Sequence, residues 1–354
     1  MPKRNIARDR IWPADPNILV RVVILYVGQG SSAIVLVADG STYKCLVVDI
    51  NLDRKTGGID VPRLVKDLLD GGELFAFANT HPHDDHLRGV KELSDQITIR
   101  EVWHSGHIPS KKYGSCYQDL RAVIKKVRER GGQEIVLEGS RSPKKLGDAQ
   151  CYVLAPAEYV TDEVNEEEAD ARRARIHEQC AVLKFGQGSA WIMIPGDADR
   201  AAFEKHITQY HKQRLGAFAL AASHHGSRTF FMENEGDDPY LDGLRSIGPT
   251  YVAISAPTQE ESPHGHPHDD AVELYADEVG DKNVLHTGEE RLSFIFDIYR
   301  DGGHSGIQDD SGSLAEAYGL EDEDDGDRAT KAMIQGPFVR PRSQTGDLTP
   351  RKYG

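Results

Sequence analysis

Four side chains that can bind a metal ion fall within six consecutive positions of the sequence, in an H-x-H-x-D-H pattern. Imidazole nitrogens and carboxylate oxygens suit zinc, and they also suit iron or manganese. The pattern comes just after an apolar, strand-like run at residues 74–78, so we expect it in a sharp bend where ligands converge. Their density predicts a metal site, and a hydrolase with two metal ions is the leading interpretation. The four residues are His81, His83, Asp85 and His86.

A histidine-rich surface loop is the alternative interpretation of this cluster, because such tracts also bind divalent ions weakly. Further candidate ligands favour a metal site, since they recur in loops that follow strand-like runs at residues 190–194, 218–222 and 251–255. Four separate loops can therefore contribute to one site. The later candidates are Asp197, then the pair His224 and His225, then His266 and His268.

Length, charge and cysteine usage restrict the class of protein. The chain of 354 residues can bury the core of one large domain, with or without appendages. Its formal net charge of −15 argues against a broad electrostatic grip on nucleic acid, although a local basic or metal-lined groove can still bind a phosphodiester. The four cysteines form no C-x-x-C pair, which is typical of a reducing compartment.

The hydropathy pattern predicts neither a signal peptide nor a membrane span. The basic N-terminus is not followed by the apolar segment of a signal peptide. No stretch approaches the roughly 18 uninterrupted apolar residues that a spanning helix needs. We therefore expect a soluble, cytoplasmic protein without a membrane partner.

Short β-branched runs separated by turn residues begin at residue 18 and predict an antiparallel meander. Residues 61–69 have helical spacing, and alternating strands and helices recur in the second half of the chain. Ligand candidates at the strand ends fit an α/β protein in which two sheets pack face to face under covering helices.

Composition divides the chain into an N-terminal extension at residues 1–17, a hydrolase-like domain at residues 18–300 and an acidic tail at residues 301–354. The tail is rich in Gly, Ser, Asp and Glu, so it buries too little apolar area to offset its ordering entropy. We expect it to be disordered. It can serve as an arm for a basic protein partner, or it can simply keep the chain solvated.

In six motifs taken together, the chain resembles the metallo-β-lactamase superfamily, and more narrowly the hydrolase domain of ComEC-type competence proteins and its free-standing relatives. The resemblance spans roughly residues 22–296. It implies a four-layer αββα sandwich with two metal ions at one edge. In chain order the motifs are residues 27–32, 47–49, 80–86, 195–197, 223–227 and 265–268.

The resemblance also implies a role for each candidate ligand. The first ion would be held by His81 and His83. The second ion would be held by Asp85 and His86. Asp197 would bridge the two ions, which is chemically sensible because a carboxylate between two cations neutralises both.

The remaining ligands are left open by the sequence. His177 is the candidate third ligand of the first ion, because it precedes a strand-like run in the order that the superfamily leads one to expect; a surface histidine is the alternative. One of His224 and His225 is expected to complete the second subsite, and the other to lie outside it. Asp49 ends a strand near the site, and we expect it to orient ligands by hydrogen bonds.

His266 and His268 are implied, together with Asp85, to take part in catalysis. Their place in the family pattern suggests that they donate a hydrogen bond to a developing oxyanion or protonate a leaving group. A turn that the two histidines merely hold in shape is the alternative.

The implied chemistry is hydrolysis by a hydroxide that bridges two divalent ions, with zinc expected and manganese or iron as alternatives. The ComEC-type resemblance implies a phosphodiester substrate, either nucleic acid or nucleotide. Hydrolysis of a carboxylic ester, lactone, thioester or β-lactam is one alternative, and it would need a more apolar pocket. A non-catalytic binding module stabilised by metal is the other. The candidate phosphate contacts are Lys111, Lys112, Arg228 and His268.

Overall fold

The chain folds into two β-sheets that pack face to face, with helices on both outer surfaces. A computed structural model describes residues 4–109 and 115–320. The strands are β1 (Ile18–Ile24), β2 (Ala33–Asp39), β3 (Thr42–Val48), β4 (Leu74–Asn79), β5 (Ile99–His104), β6 (Gln133–Val136), β7 (Lys144–Leu146), β8 (Ala149–Ala155), β9 (Val182–Gln187), β10 (Ala190–Ile194), β11 (Ala219–Ala221), β12 (Tyr251–Ile254), β13 (Val284–His286), β14 (Phe294–Tyr299) and β15 (Gln308–Asp309).

The helices connect these strands and cover the sheets. None of the described helices combines the length and the apolar character that crossing a bilayer requires. A π-helix at Ala202–Ile207 leads directly into α7. The α-helices are α1 (Ile6–Ile11), α2 (Val61–Leu69), α3 (Val90–Gln96), α4 (Ser115–Glu129), α5 (Glu158–Glu166), α6 (Ala169–Ala174), α7 (Thr208–His211), α8 (Asp242–Ile247), α9 (Asp269–Val279), α10 (Thr287–Glu290) and α11 (Ser313–Tyr318).

Each sheet joins an antiparallel half to a parallel half. The first sheet has the strand order β15-β14-β1-β2-β3-β4-β5-β6, in which β3 to β6 run parallel. The second has the order β13-β12-β11-β10-β9-β8-β7, in which β10 to β13 run parallel. Parallel neighbours end at the same edge of a sheet, so the loops after β3 and β4, and those after β10, β11 and β12, gather along one edge of each sheet.

Side chains along β1 alternate between two apolar cores. Val20, Val22 and Ile24 pack against the second sheet, whereas Val23, and Leu25 just after the strand, pack against helices. Burying a side chain of this size contributes about 1.5–3 kcal/mol. A third core lies between the second sheet and its own helices. The predicted four-layer αββα sandwich is therefore confirmed.

The middle of the first sheet also contains a buried ion pair. The Arg21 guanidinium donates to both carboxylate oxygens of Asp297, at N···O distances of 2.7 Å, and to the carbonyl oxygen of Ile11 at 3.1 Å. The Arg21 and Asp297 side chains are only 11% and 2% exposed. The pair therefore joins β1 and β14 to the end of α1.

Residues 301–320, which the sequence assigns to a disordered tail, are folded onto the sandwich. Strand β15 pairs with β14, and α11 buries Leu314 and Tyr318. The carbonyl oxygen of Tyr318 accepts a hydrogen bond from the Asp60 amide at 2.7 Å. The expected boundary at residue 300 is thus corrected, because a few well-spaced apolar side chains anchor this polar segment. Residues 321–354, which contain the acidic run, lie outside the described residues.

We expect Arg21→Ala to lower the free energy of unfolding by about 3–5 kcal/mol, because it leaves the Asp297 carboxylate buried without a counter-charge. Urea denaturation followed by circular dichroism measures this loss. The matched control is Arg245→Ala, since Arg245 is 57% exposed and pairs with Glu278 at 2.8 Å on the surface. The control should cost less than about 1 kcal/mol. Equal losses in the two variants would contradict the prediction.

Candidate metal centre

Strand directions bring the candidate ligands to one edge of the sandwich. The H-x-H-x-D-H motif follows β4, Asp197 follows β10, and the histidine pair follows β11. His177 precedes β9, which is antiparallel to β10, so the start of β9 lies beside the end of β10. A 2.8 Å hydrogen bond from the Ala181 amide to the Thr80 carbonyl oxygen joins the edges of the two sheets.

The first of two ligand groups consists of His81, His83, His177 and Asp197, whose donor atoms all lie within 4.8 Å of one another. Nδ1 of His83 lies 3.0 Å from Nε2 of His81 and 3.4 Å from Nε2 of His177. Oδ2 of Asp197 lies 3.4 Å from Nε2 of His81. The structure thus places His177, an uncertain candidate in the sequence, beside the first two histidines of the motif.

The second group consists of Asp85, His86 and His225, with the same limit of 4.8 Å. Nε2 of His225 lies 3.2 Å from Nε2 of His86 and 3.4 Å from Oδ2 of Asp85. Oδ1 of Asp197 lies 3.1 Å from Nε2 of His86. The two oxygens of Asp197 therefore face different groups, which is the arrangement of a bridging ligand.

The protonation of the histidines in the first group fits metal binding, which needs neutral imidazoles and ionised carboxylates. Burial lowers the pKa of His81 well below its ordinary value, and it lowers the pKa of His177 to about 4. Both rings are therefore neutral near pH 7. Oδ1 of Asp197 is buried and accepts no well-aligned hydrogen bond from the described residues, so it remains available to a cation.

The field at His86 also favours positive charge. Burial alone would lower the pKa of this imidazole, but the carboxylates of Asp197 and Asp49 outweigh burial and raise the pKa well above its ordinary value. Buried carboxylates require compensating charge or hydrogen bonds. Divalent ions held by the two groups would supply that charge, so the donor set and the electrostatics agree.

Outer hydrogen bonds fix the orientation of the ligand rings. Oδ2 of Asp49 lies 2.8 Å from Nδ1 of His86 and accepts the Thr80 hydroxyl at 2.6 Å, while Oδ1 accepts the Thr80 amide at 2.7 Å. Nδ1 of His225 lies 3.0 Å from the carbonyl oxygen of Ser255. Both rings therefore direct Nε2 toward the centre. Asp49 therefore makes the hydrogen bonds that are expected of it from the sequence.

The structure distinguishes the two adjacent histidines. Both have left-handed backbone conformations, with φ of 50° at His224 and 56° at His225, so the turn directs their rings differently. Only His225 belongs to a ligand group among the described residues. The Nδ1 atom of His224 bonds to Thr229 Oγ1 at 2.8 Å, and its ring centroid lies 4.3 Å from that of His177. His224 therefore lies beside the first group.

His266 and His268 extend the row of imidazoles. The His266 ring centroid lies 5.0 Å from that of His224, and its buried Nδ1 has no hydrogen-bond partner among the described residues. The His268 ring lies next, 4.9 Å from His266, but its Nδ1 accepts the backbone N–H of Arg228 at 3.1 Å. His266 is therefore free to meet a ligand, whereas one nitrogen of His268 is committed to the loop.

Sequence reasoning missed two supporting contacts. The thiol of Cys180 accepts the Asp197 amide at 3.3 Å, and the Gln29 side-chain oxygen accepts the Ser262 hydroxyl at 2.9 Å. Ser262 in turn accepts the His266 amide at 3.0 Å. Gln29 lies in a Gly-Gln-Gly turn within one of the six motifs, and this position could have indicated that it lies near the site. Nothing local to Cys180 distinguishes it from an ordinary buried thiol.

Comparison with known proteins finds no matching family model and no matching curated protein. Among solved structures, the chain is similar to a diphosphatase of the PhnP family, with 15% identity and a TM-score of 0.39 over 80% of this chain and 99% of that chain. It is also similar to the metallo-hydrolase Igni18 from the archaeon Ignicoccus hospitalis, with 13% identity and a TM-score of 0.38 over 75% and 94%. A third is the subclass B3 metallo-β-lactamase MEM-A1 from a soil metagenome, with 12% identity and a TM-score of 0.29 over 84% and 92%. At these values the activity has to be argued from the site itself.

If each ligand group holds one zinc ion, His225→Ala should reduce the zinc content of the purified protein from two ions to one, because it removes a donor from the second group only. His224→Ala is the matched neighbour and should keep both ions. Elemental mass spectrometry after dialysis against limiting zinc measures the ratio, and circular dichroism checks the fold. The assignment is wrong if the two variants exchange these results.

Proposed function

We propose that this protein is a hydrolase of the metallo-β-lactamase superfamily that uses two divalent ions, preferably zinc, to cleave phosphodiesters. The observation that carries the proposal is the position of Asp197, whose two oxygens face two separate groups of ligands. A shared carboxylate can hold two ions at the short separation that a joint site requires. The αββα sandwich, with this centre at one edge, supports the superfamily assignment.

Two divalent ions at this centre would generate a nucleophile from water at neutral pH and polarise the scissile group. The chain itself contributes ligands whose rings are already aligned, since Asp49 and the Ser255 carbonyl hold His86 and His225 in place. The ligands proposed for the first ion are His81, His83 and His177, those for the second are Asp85, His86 and His225, and Asp197 serves both.

We assign the contact with the scissile group to His266, with His224 beside it. The unpaired Nδ1 of His266 and the neighbouring His224 ring lie next to the two ligand groups. Nε2 of His224 is 3.6 Å from Oδ2 of Asp197. Imidazoles in this position can donate to an oxygen on which negative charge develops, or protonate a leaving oxygen.

The polar rim of the centre favours a phosphodiester over an acyl substrate. Three imidazoles line it where an acyl pocket would present apolar side chains, and they can bond to the non-bridging oxygens of a phosphate. Arg228 adds no free charge, because it pairs with Asp270 at 2.9 Å and with Glu235 at 3.2 Å. The other two proposed phosphate contacts, Lys111 and Lys112, lie outside the described residues.

Asp197→Asn should abolish phosphodiester hydrolysis, with a loss of at least roughly a thousandfold in kcat/KM, because the amide cannot neutralise two cations. The assay uses bis-p-nitrophenyl phosphate, single-stranded and double-stranded DNA, RNA and cyclic nucleotides, each with zinc and with manganese.

Lactones, esters, thioesters and β-lactams complete the same panel. Turnover of these acyl substrates without any phosphodiester cleavage would overturn the substrate assignment. Two bound metal ions with no turnover of any substrate would instead indicate a non-catalytic binding module.

His266→Ala should lower kcat by about 10²–10³-fold while the protein still binds two metal ions, because the variant loses a donor to the developing charge but no ligand. The matched control is His264→Ala, since His264 is exposed two residues earlier in the same loop. Steady-state kinetics and metal content are measured in parallel. Equal activity in the two variants would exclude a catalytic role for His266.

A further inference from the structure

A second cavity lies on the outer side of the second sheet. It has a volume of about 620 Å³, which is in the usual range for small-molecule sites. Its walls come from the end of β8, the start of α5 and the π-helix Ala202–Ile207 with α7. Glu178, the residue after the metal-ligand candidate His177, also lines it. Consecutive residues, His177 and Glu178, therefore belong to the candidate metal centre and to the cavity.

One wall of the cavity is held by a chain of hydrogen bonds. The Tyr159 hydroxyl lies 2.6 Å from Nδ1 of His206, and Nε2 of His206 lies 2.7 Å from Oε1 of Glu178. Arg175 binds both oxygens of Glu178, at 2.8 and 2.9 Å. Burial disfavours charge on Glu178, but His206 and Arg175 outweigh it and keep the pKa below its usual range. The carboxylate is therefore ionised, neutralised and fixed.

Two cations, Arg141 and Lys205, line this cavity. The guanidinium of Arg141 lies over the ring of Tyr210, 4.1 Å from its centroid. Neither Arg141 nor Lys205 forms an ion pair with any described residue, although the chain contains 57 acidic and 42 basic residues. Glu158 is the one carboxylate of the cavity lining without an ion-pair partner, since Glu178 is paired with Arg175 and His206. Two cations against one such carboxylate leave a local positive charge that suits an anion.

The same cavity exposes aromatic surface. Tyr159 and Tyr210 are 53% and 46% exposed, unlike most large apolar side chains of the described chain. Exposed rings beside cations form the usual platform for nucleobases, because every base has a π-face and every nucleotide a phosphate. The π-helix that carries Lys205 and His206 is a rare conformation that occurs frequently at functional sites.

We propose that this cavity binds a nucleoside phosphate, with the phosphate paired to Arg141 and Lys205 and the base packed on the tyrosine rings. The floor suits a base, since Leu154, Val160 and Ile207 line it with apolar surface. The ligand is either a free nucleotide or one nucleotide of a strand that also reaches the metal centre. Binding here does not depend on the proposed hydrolysis, because a nucleoside monophosphate contains no phosphodiester.

Isothermal titration calorimetry of the full chain with AMP tests the proposal. AMP should bind, and both adenosine and ribose 5-phosphate should bind more weakly, because each lacks one recognised part. Arg141→Ala and Lys205→Ala should each weaken AMP binding by about tenfold or more, the effect of losing one charged contact. Both side chains are exposed, so neither change threatens the fold.

Two controls locate the binding. Lys282→Ala should leave AMP affinity unchanged, because exposed Lys282 precedes β13, at the opposite end of the sheet from β8. Asp197→Asn should also leave it unchanged, because the metal centre is not the site. The proposal is overturned if AMP does not bind, if ribose 5-phosphate binds as tightly as AMP, or if Asp197→Asn alone removes binding.

A short oligodeoxyadenylate separates the two sources of the ligand. It is titrated into Asp197→Asn, which should not cleave it. Tighter binding than AMP that weakens with the added Arg141→Ala change supports a strand, and tighter binding of AMP supports a free nucleotide. If Arg141→Ala changes neither the oligonucleotide affinity nor the AMP affinity, the proposal is contradicted in either form.

Discussion

The buried carboxylate of Asp197 requires compensating positive charge from two directions, and the edge of the sandwich is arranged around that requirement. Gly196 makes its approach possible, because a Cβ at this position would lie 2.5 Å from the Thr80 hydroxyl, and its φ of +55° is one that side chains disfavour. Thr80 is itself bonded to Asp49, which also orients His86. Gly196 and the Asp49 carboxylate thus allow Asp197 and the candidate ligands to occupy the same edge.

Strand direction explains how candidate ligands far apart in sequence reach that edge. It also explains why the sequence predicts only part of the centre. The H-x-H-x-D-H spacing is local, so its four candidate ligands can be identified from the sequence alone. His177 depends on β9 running antiparallel to β10, which no local pattern shows. The choice between His224 and His225 depends on two consecutive left-handed residues and on the Ser255 carbonyl, which directly follows β12. Contacts of this kind appear only when the strands are paired.

The fold shows the same division. Alternating β-branched runs predict both sheets, and helical spacing predicts α2 at the observed residues Val61–Leu69. Composition wrongly predicts disorder for residues 301–320, because an average over a polar segment does not reveal the few apolar side chains that anchor it. Leu314 and Tyr318 are four residues apart on α11, so both face the cluster that contains α1 and α2. A helix needs only such a stripe to dock, even in a segment rich in Gly, Ser and Asp.

Local charge decides where an anion can bind this protein. A chain with a net charge of −15 repels polyanions at long range, but at physiological salt the Debye length is about 8 Å, so recognition is decided locally. Arg228 is neutralised by its two carboxylate partners, whereas Arg141 and Lys205 are not. Arg141 and Lys205 therefore supply positive charge beside the exposed tyrosine rings of the second cavity, and an anion with an aromatic base matches that combination.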